Sequence, residues 1–251
     1  MTHEFSDPVD MTFTAKVDGS SQRYVEMRPR GFDPAKQIHL LIALHGHGGD
    51  RWQYVQSDIN ECRGARDTAA RHGLLFVSPD YRAATSWMGP KAEADLVQII
   101  EELRRNYRIG KLILVGSSMG GSSALTFAVL HPEMIDGVCS QKATANHVEF
   151  ANYQDDIAES FGGTKGQVPR EYEKRSAEFF PERLTMPISF TCGGLDQSVP
   201  PQSVLRLAEK LKQLGRGVLM LHDPAAGHRA SYEDTVRAME WVIGRVVGRS
   251  G

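Results

Sequence analysis

The chain has few cysteines, no dominant charge and no long apolar run, and each shortage closes off a class of function. Cys62, Cys139 and Cys192 are three cysteines among 251 residues, an odd number without CxxC spacing. A disulfide framework or thiolate zinc cluster is therefore not expected, and the apolar surroundings of Cys139 and Cys192 predict buried free thiols. Lysine and arginine total 29 against 31 aspartates and glutamates, a formal charge of -2. So even a balance gives no electrostatic case for nucleic acid or an anionic membrane surface. Where charges cluster, as in Glu101-Glu102-Leu103-Arg104-Arg105, the signs are mixed. The longest apolar run, Leu40 to Leu44, is far too short to cross a bilayer. Met1 to Asp10 carries Glu4, Asp7 and Asp10 and no apolar signal core, which predicts a cytoplasmic protein. No internal repeat or low-complexity tract is present.

What remains is a chain with 41% hydrophobic residues, enough for one substantial core. Thr12 to Val17 and Gln22 to Met27 read as two short strands around Asp18-Gly19-Ser20-Ser21, an antiparallel hairpin at a sheet edge. Buried strands follow at Ile38 to Leu44, Leu74 to Val77, Leu112 to Val115, Gly137 to Ser140, Pro187 to Cys192 and Val218 to Leu221. Helical patterns separate them at Asn60 to His72, Lys91 to Tyr107, Ser122 to Leu130, Ser203 to Leu214 and Tyr232 to Val247. In the second of these, Leu96, Ile99, Ile100 and Leu103 share one face. Such alternation predicts an α/β fold, a mostly parallel sheet of about eight strands with helices on both faces. We expect one domain over residues 1–251, with a small cap at about 141–186, because so long an excursion between neighbouring strands is usually functional.

Gly116-Ser117-Ser118-Met119-Gly120 is a G-x-S-x-G pattern between a buried strand and a helix, the setting of a nucleophile elbow. Small neighbours let the serine take a strained conformation at the strand tip, and the Met119 N–H then lies where negative charge is favoured. Phosphate-binding loops fail on residue type, since no Gly-Lys-Ser/Thr and no G-x-G-x-x-G is present here. A serine hydroxyl needs a base, and the base needs a carboxylate. In elbow hydrolases acid and base follow the serine in that chain order. His228, on a loop between the last strand and the last helix, fits the base; His222 is the runner-up. Asp196, in Gly193-Gly194-Leu195-Asp196-Gln197-Ser198-Val199-Pro200, fits the acid, with a turn or helix-capping role as the rival. Asp223 is too near His228 in sequence, and Asp80 precedes the serine.

His45-Gly46-His47-Gly48-Gly49-Asp50 follows a buried strand, and its small residues suit a backbone N–H, that of His47, joining Met119 in an oxyanion hole. H-x-H resembles a metal-ligand pair, but Asp50 falls one position late for H-x-H-x-D and no further ligands cluster nearby, so no metal is expected. Trp87 and Phe161 are candidate substrate contacts, as are Met88, Phe150 and Tyr153, with core packing as the rival for each.

Taken together, Leu44 to Asp50, the elbow, Asp196 to Pro201 and Gly227-His228 resemble the esterase branch of the α/β-hydrolases. The nearest groups are carboxylesterases, feruloyl and acetyl esterases and polyhydroxybutyrate-depolymerase-like enzymes, with prolyl oligopeptidase catalytic domains more distant. Tyr172-Glu173-Lys174-Arg175-Ser176 is similar to the Tyr-x-x-Arg-Ser-Pro of that branch, with Ala177 replacing the proline. The resemblance implies a triad of Ser118, Asp196 and His228, no cofactor, and a small-molecule ester as substrate. It leaves the acyl group, alcohol and oligomeric state open, a homodimer included. An amide or thioester substrate is the alternative, and Glu149, Asp155, Asp156 and Glu159 are acids that could receive a peptide amino terminus.

Overall fold

The structure, a computed structural model, describes residues 4–248. Strands β1 (Val9–Thr14) and β2 (Ser21–Met27) form the antiparallel hairpin, with Val9 opposite Glu26 and Thr14 opposite Ser21. The first strand begins three residues earlier than its pattern predicts. Its end is set by the turn, where the Asp18 carboxylate accepts the Ser20 N–H at 3.1 Å and Ala15 N–H donates to Ser20 at 2.8 Å.

The chain continues through β3 (Gln37–Leu44), α1 (Gln53–Gln56), α2 (Asn60–Arg71), β4 (Leu75–Pro79), α3 (Pro90–Asn106), β5 (Arg108–Ser117) and α4 (Met119–Leu130). Next come β6 (Gly137–Gln141), α5 (Gln154–Phe161), α6 (Pro169–Lys174), β7 (Ile188–Gly193), α7 (Gln202–Gln213), β8 (Val218–Asp223) and α8 (Tyr232–Val246). One eight-stranded sheet results, in the order β1-β2-β4-β3-β5-β6-β7-β8. It is antiparallel only at the β1–β2 and β2–β4 pairings and parallel at the rest.

Alternate residues of the central strands feed two separate cores. Leu40, Ile42, Leu44, Leu112 and Leu114 pack with Leu96, Ile99 and Leu103 of α3 and with α4 and α7. Leu41, Ala43, Ile113 and Val115 pack with Cys62 and Ala65 of α2 and Val242 and Ile243 of α8. Covered on both faces, the stretches Leu40–Leu44 and Leu112–Val115 of these strands are apolar at every position, which is why they are legible as continuous runs. All three cysteines are buried and free.

Between β6 and β7 the expected excursion contains two short helices, α5 and α6, and two single turns of 3-10 helix at Ala177–Phe179 and Pro181–Arg183. It is knotted around Arg175, whose side chain is wholly buried. The guanidinium donates to Met88 O at 2.7 Å, to Glu93 Oε2 at 2.7 Å and to Glu171 Oε2 at 3.3 Å. Burial raises the Glu93 pKa, but the hydrogen bond from His131 and the charge of Arg175 outweigh it and hold the carboxyl at about 2. Arg175→Met removes the buried charge and strands the Met88 carbonyl, while Glu93 keeps His131 and Glu171 keeps Lys174, so it should destabilise the fold by about 1–3 kcal/mol in denaturant titration. Because the folded Glu93 pKa lies below its ordinary value, its contribution is complete above about pH 4.5 and fades toward pH 2. Thermal midpoints measured across that window should fall less steeply for Glu93→Gln than for the unaltered protein.

Candidate active site

Strand β5 ends at Ser117, helix α4 begins at Met119, and Ser118 between them has φ 60° and ψ -123°. A non-glycine residue there costs about 1–3 kcal/mol, so surrounding contacts must impose it. They do so from both sides: Ser118 N–H donates to Gln141 O at 2.9 Å, and Ser122 N–H to Ser118 O at 3.0 Å. The flanking glycines are required by crowding. A Cβ at Gly116 would collide with the Gly120 backbone, and one at Gly120 with the carbonyls of Leu44 and His45. Strand β3, strand β5 and helix α4 therefore meet closely enough to force the serine outward.

The structure brings Ser118, His228 and Asp196 together. His228 Nε2 is 2.9 Å from Ser118 Oγ, and His228 Nδ1 is 2.7 Å from Asp196 Oδ2. An ionised carboxylate only accepts, so Nδ1 carries the proton and Nε2 is left to accept from the serine hydroxyl. The other oxygen of Asp196 accepts N–H bonds from Ser198 at 3.0 Å and Val199 at 2.9 Å, and its side chain is buried. Loops bearing acid and base are joined by backbone: Gly194 N–H donates to Asp223 O at 2.9 Å and Leu195 N–H to Ala226 O at 3.0 Å. His222 and Asp223 are exposed at the end of β8, and Asp80 is engaged by Arg51.

On the other side of the serine lies the loop after β3. Gly46 N–H donates to the Gln53 side chain at 2.7 Å, and the His45 ring is buried between the carbonyls of Gly46 and Asp80 at 2.9 and 3.1 Å. Burial lowers the His45 pKa against the opposing pull of the two carbonyls, and a neutral ring donates to one of them only. His47 instead turns toward α5, its Nε2 at 2.8 Å from Asp156 Oδ2. The two histidines of H-x-H thus face different partners, and no metal-holding group of three or more His, Cys, Asp or Glu occurs among the described residues. The N–H groups of His47 and Met119 have no protein partner among the described residues.

His47, Ser118 and His228 line a cavity of about 380 Å³ with Gly46, Ser117, Gln53, Tyr54, Ile59, Glu61, Cys62, Tyr153 and Arg229. Cys62 is no rival nucleophile, since burial pushes its thiol up to about 12. Trp87 and Phe161 require correction: both are buried and neither lines this cavity. Trp87 stacks among Phe150, Tyr153 and His147, and Phe161 against His147 and Tyr172. Aromatic side chains near an elbow fill core and pocket alike, and residue type does not separate the two. Tyr153 is the one of the candidate aromatics that reaches the cavity. Gln53 carries no sequence signal and Asp156 stands out only as one of four acids open to a peptide amino terminus, because the roles seen here arise only when distant loops meet.

A sequence model of the prolyl oligopeptidase family matches residues 80–242. Feruloyl esterase C of Emericella nidulans is 26% identical over 113 residues, 43% of this chain and 42% of that protein. The chain thus spans less than half the length of that curated relative. Among solved structures, a ferulic acid esterase superposes with a TM-score of 0.74 at 17% identity, covering 98% of this chain and 100% of that one. An acylaminoacyl peptidase of Pyrococcus horikoshii gives 0.75 at 16% identity over 100% of this chain and 43% of that one. Likeness at this level shows the α/β-hydrolase fold that the sequence predicts. If the serine is activated as placed, a fluorophosphonate probe should attach to Ser118, as read by peptide mass spectrometry. Ser118→Ala should take no label, and His228→Ala should label at least a hundredfold more slowly, within the range general-base assistance supplies.

Proposed function

Since the chain belongs to the prolyl oligopeptidase family, we propose that it is a serine hydrolase of carboxylic esters with short-chain or aromatic acyl groups. The observation that carries this reading is the continuous relay from Ser118 Oγ through His228 to Asp196, at 2.9 and 2.7 Å. His228 Nε2 takes the hydroxyl proton as Ser118 Oγ attacks the ester carbonyl carbon. The carbonyl oxygen becomes an anion, received by the N–H groups of Met119 and His47 and favoured by the N-terminus of α4. Collapse breaks the bond to the alcohol oxygen, which leaves with the proton from Nε2. Water, deprotonated by His228, then attacks the acyl-enzyme, and the acid departs as Ser118 is reprotonated. Asp196 remains ionised throughout and holds the imidazole in one tautomer. Each proton and electron pair is handled by these side chains, so no cofactor enters the scheme.

Esters are favoured over amides because the ferulic acid esterase is matched over its own whole length, whereas the acylaminoacyl peptidase is matched over 43% of its length. Residues 141–186 would cap the site. No helix among the described residues is long and apolar enough to cross a membrane; a cytoplasmic setting and a small-molecule partner belong to the proposal. A peptidase is the second reading, favoured by the peptidase among the structural neighbours. Of the four acids in the cap, Glu149 is taken by Arg206 and Asp156 by His47. Asp155 and Glu159 stay exposed.

A panel of p-nitrophenyl esters, methyl ferulate and aminoacyl p-nitroanilides decides between them. Ester turnover should dominate in kcat/KM and vanish in Ser118→Ala. Asp196→Asn should lower kcat by about 10⁴-fold with the melt unchanged. Faster turnover of an aminoacyl amide than of every ester would replace the esterase with the peptidase.

A further inference from the structure

In the loop after β3 the three glycine N–H groups around His47 are tied in place. Gly46 N–H donates to Gln53 Oε1 at 2.7 Å, Gly48 N–H to Ala84 O at 2.8 Å and Gly49 N–H to Gly46 O at 3.0 Å. The His47 N–H between them has no protein partner among the described residues and is free to face the cavity that His47 lines. A donor stabilises an oxyanion only if it is already aimed, and a residue between two glycines has little stiffness of its own. Its side chain provides what the backbone lacks. His47 Nε2–H meets Asp156 Oδ2 at 2.8 Å, and the ring lies on Tyr153 with centroids 4.6 Å apart.

Both partners sit at the start of α5, and that turn is itself anchored. Ile157 is wholly buried. Asn152 Nδ2 donates to the carbonyls of Gln197 and Ser198 at 2.9 Å each, on the loop that carries Asp196. Tyr153 takes a left-handed conformation, φ 55° and ψ 32°, uncommon for a bulky residue and maintained only where the surroundings over-determine it. One turn of helix therefore grips the acid loop with Asn152 and the oxyanion loop with Asp156.

We propose that Asp156 is a positioning residue, which fixes the direction of the His47 N–H by holding the His47 imidazole. The inference rests on the ester-hydrolysis reading of Ser118. Hydrolysis of p-nitrophenyl acetate and inhibition by a trifluoromethyl ketone, whose adduct with Ser118 bears an oxyanion, are compared in wild type, Asp156→Ala and Asp156→Asn. In Asp156→Ala, kcat should fall about tenfold or more, since losing an oxyanion donor outright costs about 10²–10³. KM should change less than about threefold, and ketone inhibition should weaken by the same factor as kcat/KM. Asn, whose Oδ1 still accepts from Nε2–H, should recover at least half of that loss on a logarithmic scale. A kcat within threefold of wild type in Asp156→Ala, an unchanged ketone affinity, or Asp156→Asn as slow as Asp156→Ala would overturn the proposal. Asp156→Ser, too short to reach His47 and suited to a first helical turn, takes the place of Asp156→Ala if that variant does not fold. If wild type cleaves no ester yet Ser118 accepts the ketone, the ester reading fails and the positioning role is read from ketone affinity alone.

Discussion

Three backbones converge where β3, β5 and α4 meet, and everything at the site follows from how close they come. Without side chains at Gly116 and Gly120, the strand and helix approach until the connecting residue can adopt only a left-handed twist, and Ser118 occupies it. The strain is local and the restraint is distributed, since Gln141, Ser122 and Leu44 lie on three different elements. Hydrophobic burial on both faces of the sheet supplies the rigidity that holds the geometry there.

Around that fixed point the remaining groups arrive from loops, each stiffened by hydrogen bonds to its neighbours. Asp196 uses both carboxylate oxygens, one for the imidazole and one for two backbone N–H groups. His45 is clamped between two carbonyls, and Gln53 holds the Gly46 N–H. The segment between β6 and β7 is secured by Arg175 at one end and by Asn152 and Asp156 at the other. A site assembled from connecting loops thus acquires the rigidity of the scaffold.

Much of this was legible because its signals are local or ordered. Parallel strands buried on both faces are apolar runs, the elbow is a short pattern at a strand–helix junction, and chain order limits which acid and base can follow. The hairpin start was misplaced because an exposed edge strand alternates weakly, so the Asp18 turn rather than the pattern fixes its end. The helices α5 and α6 are short, polar and stabilised by contacts far off in sequence, which propensity cannot register. Trp87 and Phe161 are aromatic like a pocket lining, but Trp87 is enclosed by residues 60 or more positions away, such as His147, and Phe161 by His147 and Tyr172, which belong to other turns of the same excursion. The pairing of His47 with Asp156 spans 109 residues and leaves no imprint on either local sequence.

The backbone bonds between the stretch after β7 and the stretch after β8 couple two parts of the chain that carry different chemistry. Because Gly194 and Leu195 hang on Asp223 and Ala226, the carboxylate and the imidazole share one frame. Inserting or deleting a residue in either connection would shift both groups relative to the serine. A change of length is therefore tolerated in outer connections rather than in these two stretches, which can change only as a matched pair.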